Sequence, residues 1–268
     1  MRRCTVSPDH HRKRARKDRF RGCDDSARLM NRATKYAILG LDGTLLPGRT
    51  SRHYLRVLLD DGACDRQAGL SCLEAIGQFA AAENPPAGLA DAICRRYALA
   101  MKGASVEQAR FAAEKTWRAS RGKLFSFVPE LLSLLRASGY RIHLLSGNPD
   151  FPVQEAAMDL GLSGGHGAVA EVADGRFTGR LLSAPGAAGG KLAFVCCLAE
   201  AAGFDTENSI AIGNSASDAE IFPCVGKAVA FEPGAELRRL AAGQPWQIAD
   251  RRTILRVCAR LVARAEAA

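Results

Sequence analysis

The sequence lacks a long apolar run, a Cys-x-x-Cys pair and an apolar segment near its start. No stretch approaches the roughly 18 apolar residues that a membrane-spanning helix needs, so no membrane segment is expected. Residues 1–35 hold no apolar core of the kind a secretory signal peptide requires, which predicts a cytoplasmic protein. The nine cysteines are odd in number and lack zinc-ligand spacing, so neither a zinc site nor a disulfide framework is expected.

What is present is the composition of an ordinary globular protein. Apolar residues make up 47% of the chain and charged residues 24%. With 268 residues, the chain is long enough for one large domain or for a core with an accessory domain. The sequence does not indicate an oligomeric state.

The net charge of +9 is concentrated at the start of the chain. Residues 1–35 contain twelve Lys/Arg against four Asp, whereas the remaining residues hold 25 Lys/Arg and 24 Asp/Glu. Such a basic, apolar-poor segment buries too little surface to order itself, so residues 1–33 are predicted to form a disordered arm. The arm is either a solvated tail or sequence upstream of a start at Met30. Binding of nucleic acid through it is the weakest functional hypothesis.

The first half of the chain predicts one strand followed by helices. Residues 35–41 form a short apolar run that ends at Asp42-Gly43-Thr44, which is typical of a buried parallel strand entering a loop. A helix is predicted over 51–60, opening at Ser51. Residues 64–122 are rich in alanine and show no strand pattern. This stretch is therefore predicted to be a helical insert.

After Gly122 the pattern alternates between helix and strand. The predicted elements are a helix at 129–138, a strand at 140–145, a helix from Asp150 to near Gly161, a hairpin around Asp174-Gly175, a helix from Lys191 to about 202, and strands at 209–213 and 227–231. This alternation favours an α/β fold with a doubly wound, Rossmann-like parallel sheet. The core is predicted at 34–48 and 123–268, with a small helical cap at 49–122.

Four polar clusters fall where ligands bind in such sheets, at the carboxyl ends of the strands. They are Asp42-Gly43-Thr44, Ser146-Gly147-Asn148, Lys191, and Asn214-Ser215 with Asp218. Phosphoryl transfer needs an acid or base, cationic or N–H donors around the phosphate, and commonly Mg²⁺. In that chemistry Asp42 is the acid/base, and Gly43, Ser146, Gly147, Asn148 and Lys191 hold phosphate. The predicted ligands for Mg²⁺ are Asp42, Asn214 and Asp218.

These clusters, in this order, resemble the four motifs of haloacid-dehalogenase-superfamily phosphatases. AILGLDGTLLPG is similar to the first motif, HLLSGNPD to the second, Lys191 to the lysine of the third, and AIGNSASDAEIF to the fourth. EVADGRFTGRLL resembles a hairpin of the phosphoserine-phosphatase-like branch. The resemblance covers roughly residues 35–248.

The resemblance implies a mechanism from which this chain departs at one position. In the family, a first-motif aspartate attacks phosphorus, an aspartate two residues later protonates the leaving group, and Mg²⁺ bridges. Here the nucleophile position is Gly40, which offers no carboxylate to attack phosphorus or to bind metal. Asn214 stands where an aspartate is common, although related sequences of this branch also carry Gly-Asn-Ser here. Because its amide is a neutral and weaker ligand, the Mg²⁺ site is expected to be weakened.

Two functions follow from the resemblance and the departure. The leading one is a phosphoserine-phosphatase-like phosphomonoester hydrolase by descent, impaired or inactive because position 40 is glycine. The alternative is a pseudophosphatase that holds a small phosphorylated metabolite without turnover. His143, which alternates with apolar neighbours on a predicted strand, is interpreted as a packed residue rather than a base.

Overall fold

A computed structural model of the chain describes residues 34–82, 86 and 88–263. The predicted disordered arm, residues 1–33, lies outside the described residues, so its disorder stays a prediction. Across the described part, no helix combines the length and the apolar character needed to cross a membrane.

A single seven-stranded sheet forms the centre of the molecule. Its strands are β1 (Tyr36–Leu39), β2 (Arg141–Pro149), β3 (Gly164–Ala173), β4 (Arg176–Ser183), β5 (Ile210–Gly213), β6 (Lys227–Phe231) and β7 (Gln247–Ala249). The order across the sheet is β4-β3-β2-β1-β5-β6-β7. Every neighbouring pair is parallel except β3 and β4, which form an antiparallel hairpin at one edge. The predicted parallel sheet is confirmed.

Nine α-helices surround the sheet within the described residues. They are α1 (Thr50–Asp60), α2 (Arg66–Ala81), α3 (Leu89–Ala100), α4 (Val106–Ser120), α5 (Val128–Ala137), α6 (Asp150–Asp159), α7 (Gly190–Ala202), α8 (Ala235–Ala241) and α9 (Ile254–Ala263).

Both faces of the sheet are covered by apolar side chains, which makes the fold doubly wound. Successive side chains of a strand point to opposite faces, and β1 shows this directly. Ala37 and Leu39 pack with α5, α6 and α9, whereas Tyr36 and Ile38 pack with α7 and α8. Because all four β1 side chains are buried, this strand lies at the centre of the core. The predicted Rossmann-like α/β class is confirmed.

Helices α1 to α4 bury a third apolar cluster of their own. Tyr54, Leu58, Tyr97 and Met101 are among its members, and Phe177 of β4 packs against them. No strand interrupts the described residues between α1 and α4, in agreement with the predicted helical insert. From Thr34 onward the chain forms one compact unit, so the division into core and cap stays a prediction.

Several predicted boundaries differ from the observed ones, and two of these differences lie beside the candidate site. Helix α1 begins at Thr50 rather than Ser51, because the side chain of Asp42 accepts a hydrogen bond from the Thr50 N–H. Ser146-Gly147-Asn148 does not follow a strand ending at 145, since β2 runs on to Pro149. Pairing with β3 is irregular between Leu145 and Pro149, and that irregularity contains the three residues.

Candidate active site

The predicted site residues lie at the carboxyl ends of β1, β2 and β5 and at the start of α7. The Gly40 N–H, just after β1, donates to the Ile212 carbonyl of β5 at 2.9 Å. On the other side, the Asn148 side chain accepts from the Ser51 N–H of α1 at 3.0 Å. Parallel strands place their ends at one edge, which is why segments 97 or more residues apart in sequence meet here.

Asp42 is held by the start of α1. Its Oδ2 accepts from the N–H groups of Arg49 and Thr50, both at 2.9 Å, and its Oδ1 accepts from the Thr50 hydroxyl at 2.6 Å. These bonds satisfy donors that a helix start would otherwise leave open. The predicted acid/base residue thereby links the tip of β1 to the first helix of the insert.

Position 40 has no room for a carboxylate as the structure stands. A Cβ built on Gly40 would lie 2.6 Å from Thr44 Oγ1 and 3.3 Å from Thr44 Cβ. Real Cβ atoms essentially never approach another heavy atom to within 3.0 Å. Thr44 is buried, and its hydroxyl has no hydrogen-bond partner among the described residues. A side chain at position 40 would therefore require the Thr44 hydroxyl to move.

Gly43 places the backbone against Asn214. Its φ of +73° is strained for any L side chain, and an added Cβ would lie 2.0 Å from the Asn214 Nδ2. The N–H of Gly43, a predicted phosphate-binding residue, donates to the Leu46 carbonyl at 2.8 Å. Gly43 thus brings the first and fourth motifs into contact, while its amide closes the turn.

Ser146 and Asn148 form a connected pair at the end of β2. The Ser146 hydroxyl accepts from the Asn148 Nδ2 at 2.9 Å and from the Asn148 N–H at 3.3 Å. Both side chains are buried. Because the Ser146 oxygen is the acceptor in both hydrogen bonds, its own O–H is free to donate.

Gly147 lies against the loop that leads to α7. A Cβ on Gly147 would stand 3.0 Å from the Cα of Gly186. The two backbones approach so closely that neither position accepts a side chain without movement. The loop thereby joins the end of β2 to the segment that carries Lys191.

Lys191 and Asp218 form a buried ion pair. The Lys191 Nζ donates to Asp218 Oδ1 at 2.5 Å, and the two side chains are 5% and 4% exposed. The other oxygen, Oδ2, accepts from the N–H groups of Asn214 and Ser215 at 3.1 and 2.9 Å and from the Ser215 hydroxyl at 2.7 Å. The third and fourth motifs are thus joined through one carboxylate.

The two carboxylates of the site are largely occupied by these bonds. A carboxylate offers about four acceptor positions. Asp218 uses four and Asp42 uses three. Within the described residues, no group of three or more His, Cys, Asp or Glu side chains is arranged to hold a metal ion.

Comparison with known proteins places the chain in a family. A family model for haloacid dehalogenase-like hydrolases matches residues 37–222, which contain every site residue described above. This chain belongs to that family. The predicted resemblance is confirmed, and it extends to the phosphoserine-phosphatase-like members.

Curated relatives of this haloacid dehalogenase-like chain include mycobacterial and archaeal proteins. A hydrolase of Mycobacterium leprae is 32% identical over 82% of this chain and 74% of its own length. A phosphoserine phosphatase of Mycobacterium tuberculosis is 32% identical over 85% of this chain and 74% of its own length. A phosphoserine phosphatase of Archaeoglobus fulgidus is 28% identical over 83% of this chain and 66% of its own length.

Solved structures share the fold of this haloacid dehalogenase-like protein. A Bordetella pertussis protein of unknown function superposes with a TM-score of 0.67 at 21% identity, covering 82% of this chain and all of its own. A phospho-aspartyl intermediate analogue of a phosphoserine phosphatase gives a TM-score of 0.60 at 21% identity, covering 84% of this chain and 99% of its own.

Four residues of this haloacid dehalogenase-like site were given no individual role by the sequence, although two of them, Thr44 and Ser215, were placed in its polar clusters. Thr44 fills the space beside Gly40, Thr50 holds Asp42, Ser215 holds Asp218 and Gly186 contacts Gly147. Ser215 lies within the fourth motif, and Thr44 within the first, so their positions were visible in the sequence. The roles of Thr50 and Gly186 follow from contacts that no local pattern shows.

Proposed function

We propose that this chain binds a small phosphorylated metabolite at the motif site and that its hydrolysis through an aspartyl phosphate is disabled. Its family membership and the phosphoserine phosphatases among its relatives support a phosphomonoester as the ligand. The proposed loss of hydrolysis rests on a single observation, which is the glycine at position 40. We thus propose that the protein descends from phosphatases and acts as a pseudophosphatase, which binds its ligand without hydrolysing it.

The disabled step is the attack on phosphorus. A solved relative in the same fold is an analogue of a phospho-aspartyl intermediate, which a side chain with a carboxylate must form. Gly40 has none, and Thr44 Oγ1 lies where the side chain would begin. Loss of a covalent nucleophile lowers turnover by about 10⁶-fold in a comparable enzyme whose catalytic residues act as a unit.

A water molecule activated by Asp42 does not replace the missing group well. The space beside Gly40 is taken up by Thr44, so the water would have to displace that side chain. Asp42 already accepts three hydrogen bonds from Arg49 and Thr50, so about one acceptor position of its carboxylate is left for a water molecule. We therefore assign Asp42 a positioning role in this protein.

The groups that would hold phosphate are still present. Ser146 keeps an O–H to donate, and Lys191 keeps its ammonium group at the start of α7, where it is paired with Asp218. These are the kinds of donors that phosphate oxygens accept from. Retention of the donors together with loss of the nucleophile favours binding over turnover.

The side chains fit a magnesium ion poorly. Mg²⁺ in phosphate-handling sites is held by one or two carboxylates with free oxygens. Asp218 is committed to Lys191 and to the start of the fourth-motif turn, and Asn214 is neutral. When bound in relatives, the ion neutralises charge on the phosphate. Of the two carboxylates, Asp42 has about one acceptor position left for it.

A paired assay tests the proposal. Release of phosphate from p-nitrophenyl phosphate and phosphoserine with Mg²⁺ is measured for the wild type, Gly40→Asp and Gly40→Asn. The two variants make the same steric demand on Thr44, but only Asp can form an acyl phosphate. We expect no turnover above background from the wild type or Gly40→Asn, and measurable turnover from Gly40→Asp.

The assay also has an outcome that rejects the proposal. Wild-type protein that hydrolyses either ester as fast as Gly40→Asp, or that accumulates an acyl phosphate on acid quench, would show that glycine at this position does not disable the chemistry. Thermal stabilisation of the wild type by phosphoserine supports the binding half, because a ligand that binds only the folded state raises its stability.

A further inference from the structure

We infer that this site binds a phosphomonoester dianion without a divalent cation. The inference rests on the proposed function, since it specifies how the same site meets the charge of its ligand. It follows from the balance of charges around the site and from the occupation of the carboxylate oxygens.

The first step concerns charge. Gly40 and Asn214 are neutral, and the charge of Asp218 is offset by Lys191, whose Nζ contacts it at 2.5 Å in a buried setting. Among the residues predicted to hold Mg²⁺, Asp42 carries the one charge whose hydrogen bonds come from backbone N–H groups and a hydroxyl and not from a cation. These predicted ligands therefore present a phosphate dianion with about one uncompensated negative charge, so less positive charge is needed to bind it.

The second step concerns the polar group nearest to position 40. Where a first-motif aspartate would bring a carboxylate, the structure has the Thr44 hydroxyl, which is buried and has no partner among the described residues. A carboxylate repels a phosphate oxygen, whereas a hydroxyl donates to it. Glycine at position 40 thus removes a negative charge that would repel the anion, and the Thr44 hydroxyl beside it is left able to donate.

The third step concerns the oxygens that a cation would need. Asp218 has all of its roughly four acceptor positions in use, and Asp42 has about one left. Recruiting Asp218 to a metal ion would break its bonds to Ser215 or to Lys191. Binding a cation therefore disrupts contacts that binding phosphate alone leaves in place.

Isothermal titration of the full chain with inorganic phosphate and with phosphoserine tests the inference, in buffer with EDTA and in buffer with Mg²⁺. We expect wild-type Kd values that agree within about threefold between the two buffers. For Gly40→Asp we expect binding at least about tenfold weaker in EDTA, recovered by Mg²⁺, because the added charge lies next to the anion. Gly40→Asn has the same size without the charge and should show no recovery.

Each result distinguishes this inference from the proposed function. Wild-type binding that appears only with Mg²⁺ would overturn the inference and leave the proposed function standing. No binding in either buffer would overturn both. Ser146→Ala should abolish binding; if it binds phosphate as the wild type does, the anion is held elsewhere and the inference fails. If the Gly40 variants fold poorly, the wild-type Kd values in the two buffers still test whether binding requires Mg²⁺.

Discussion

The hydroxyl of Thr44 lies 2.6 Å from the point at which a Cβ on Gly40 would stand. The two residues are four apart in sequence, and the turn after β1 folds the second back onto the first. Loss of the side chain at position 40 is thus accompanied by occupation of its space. Any attempt to restore the nucleophile must also move Thr44.

This contact predicts an energetic coupling between positions 40 and 44. Gly40→Ala should lower the free energy of unfolding by about 1–3 kcal/mol, because its Cβ overlaps the Thr44 hydroxyl. In a Thr44→Ala background the same substitution should be nearly neutral. Urea unfolding of the two single variants and the double variant measures the coupling, which we expect to exceed about 1 kcal/mol. Additive effects within error would contradict the contact.

The buried pair of Lys191 and Asp218 predicts a large effect from removing one partner. Lys191→Met leaves the Asp218 charge buried without its cation and should lower the free energy of unfolding by about 3–5 kcal/mol. The double variant Lys191→Met/Asp218→Asn should recover part of that loss, because no uncompensated charge remains. Denaturant unfolding of the three variants checks this. If Lys191→Met and the double variant are destabilised equally, Lys191 and Asp218 are not energetically coupled as their contact implies.

His143 and His166 predict a loss of stability in mild acid. Their rings are stacked, with Nδ1 of the first 3.1 Å from Nε2 of the second. Burial lowers the pKa of His143 to about 4, with the charge of Arg141 adding to the effect. Burial likewise lowers the pKa of His166 to about 4, with His143 as the second cause.

The direction of the pH effect on stability depends on whether the folded or the unfolded state binds more protons. Unfolded histidines protonate near pH ~6.5, whereas these two resist protonation in the folded state until about pH 4, so the unfolded state binds more protons in between. Stability is therefore full above pH ~6.5 and falls as the pH drops towards 4, by on the order of 3 kcal/mol for the coupled pair.

Urea unfolding at a series of pH values measures this loss. His166→Gln keeps a polar partner for His143 and removes one titrating group, so its stability should depend less steeply on pH. His53→Gln, on helix α1, is the matched control and should retain most of the wild-type dependence, since His53 is less deeply buried. An unchanged slope in His166→Gln would argue against the histidine pair as the cause.

Much of the fold could be predicted from the sequence because its signals are local. The apolar run of β1, the Asp174-Gly175 turn of the hairpin and the start of α7 near Lys191 each depend on neighbouring residues. The short strand β7 was not predicted, since its three residues include the exposed Ile248 and show no clear apolar pattern. His143 was predicted to be packed, but its partner His166 lies 23 residues away in sequence and could not be named.

The sequence by itself determined the α/β class, the order of the four motifs and the absence of a carboxylate at position 40, because these are properties of residue type and spacing. Tertiary structure alone decided that Thr44 fills the vacant space, that α1 holds Asp42, and that Lys191 offsets the charge of Asp218. Those relationships depend on which strand ends meet and at what distance. Such distances are set by sheet register and packing across the whole chain, which no short stretch of sequence specifies.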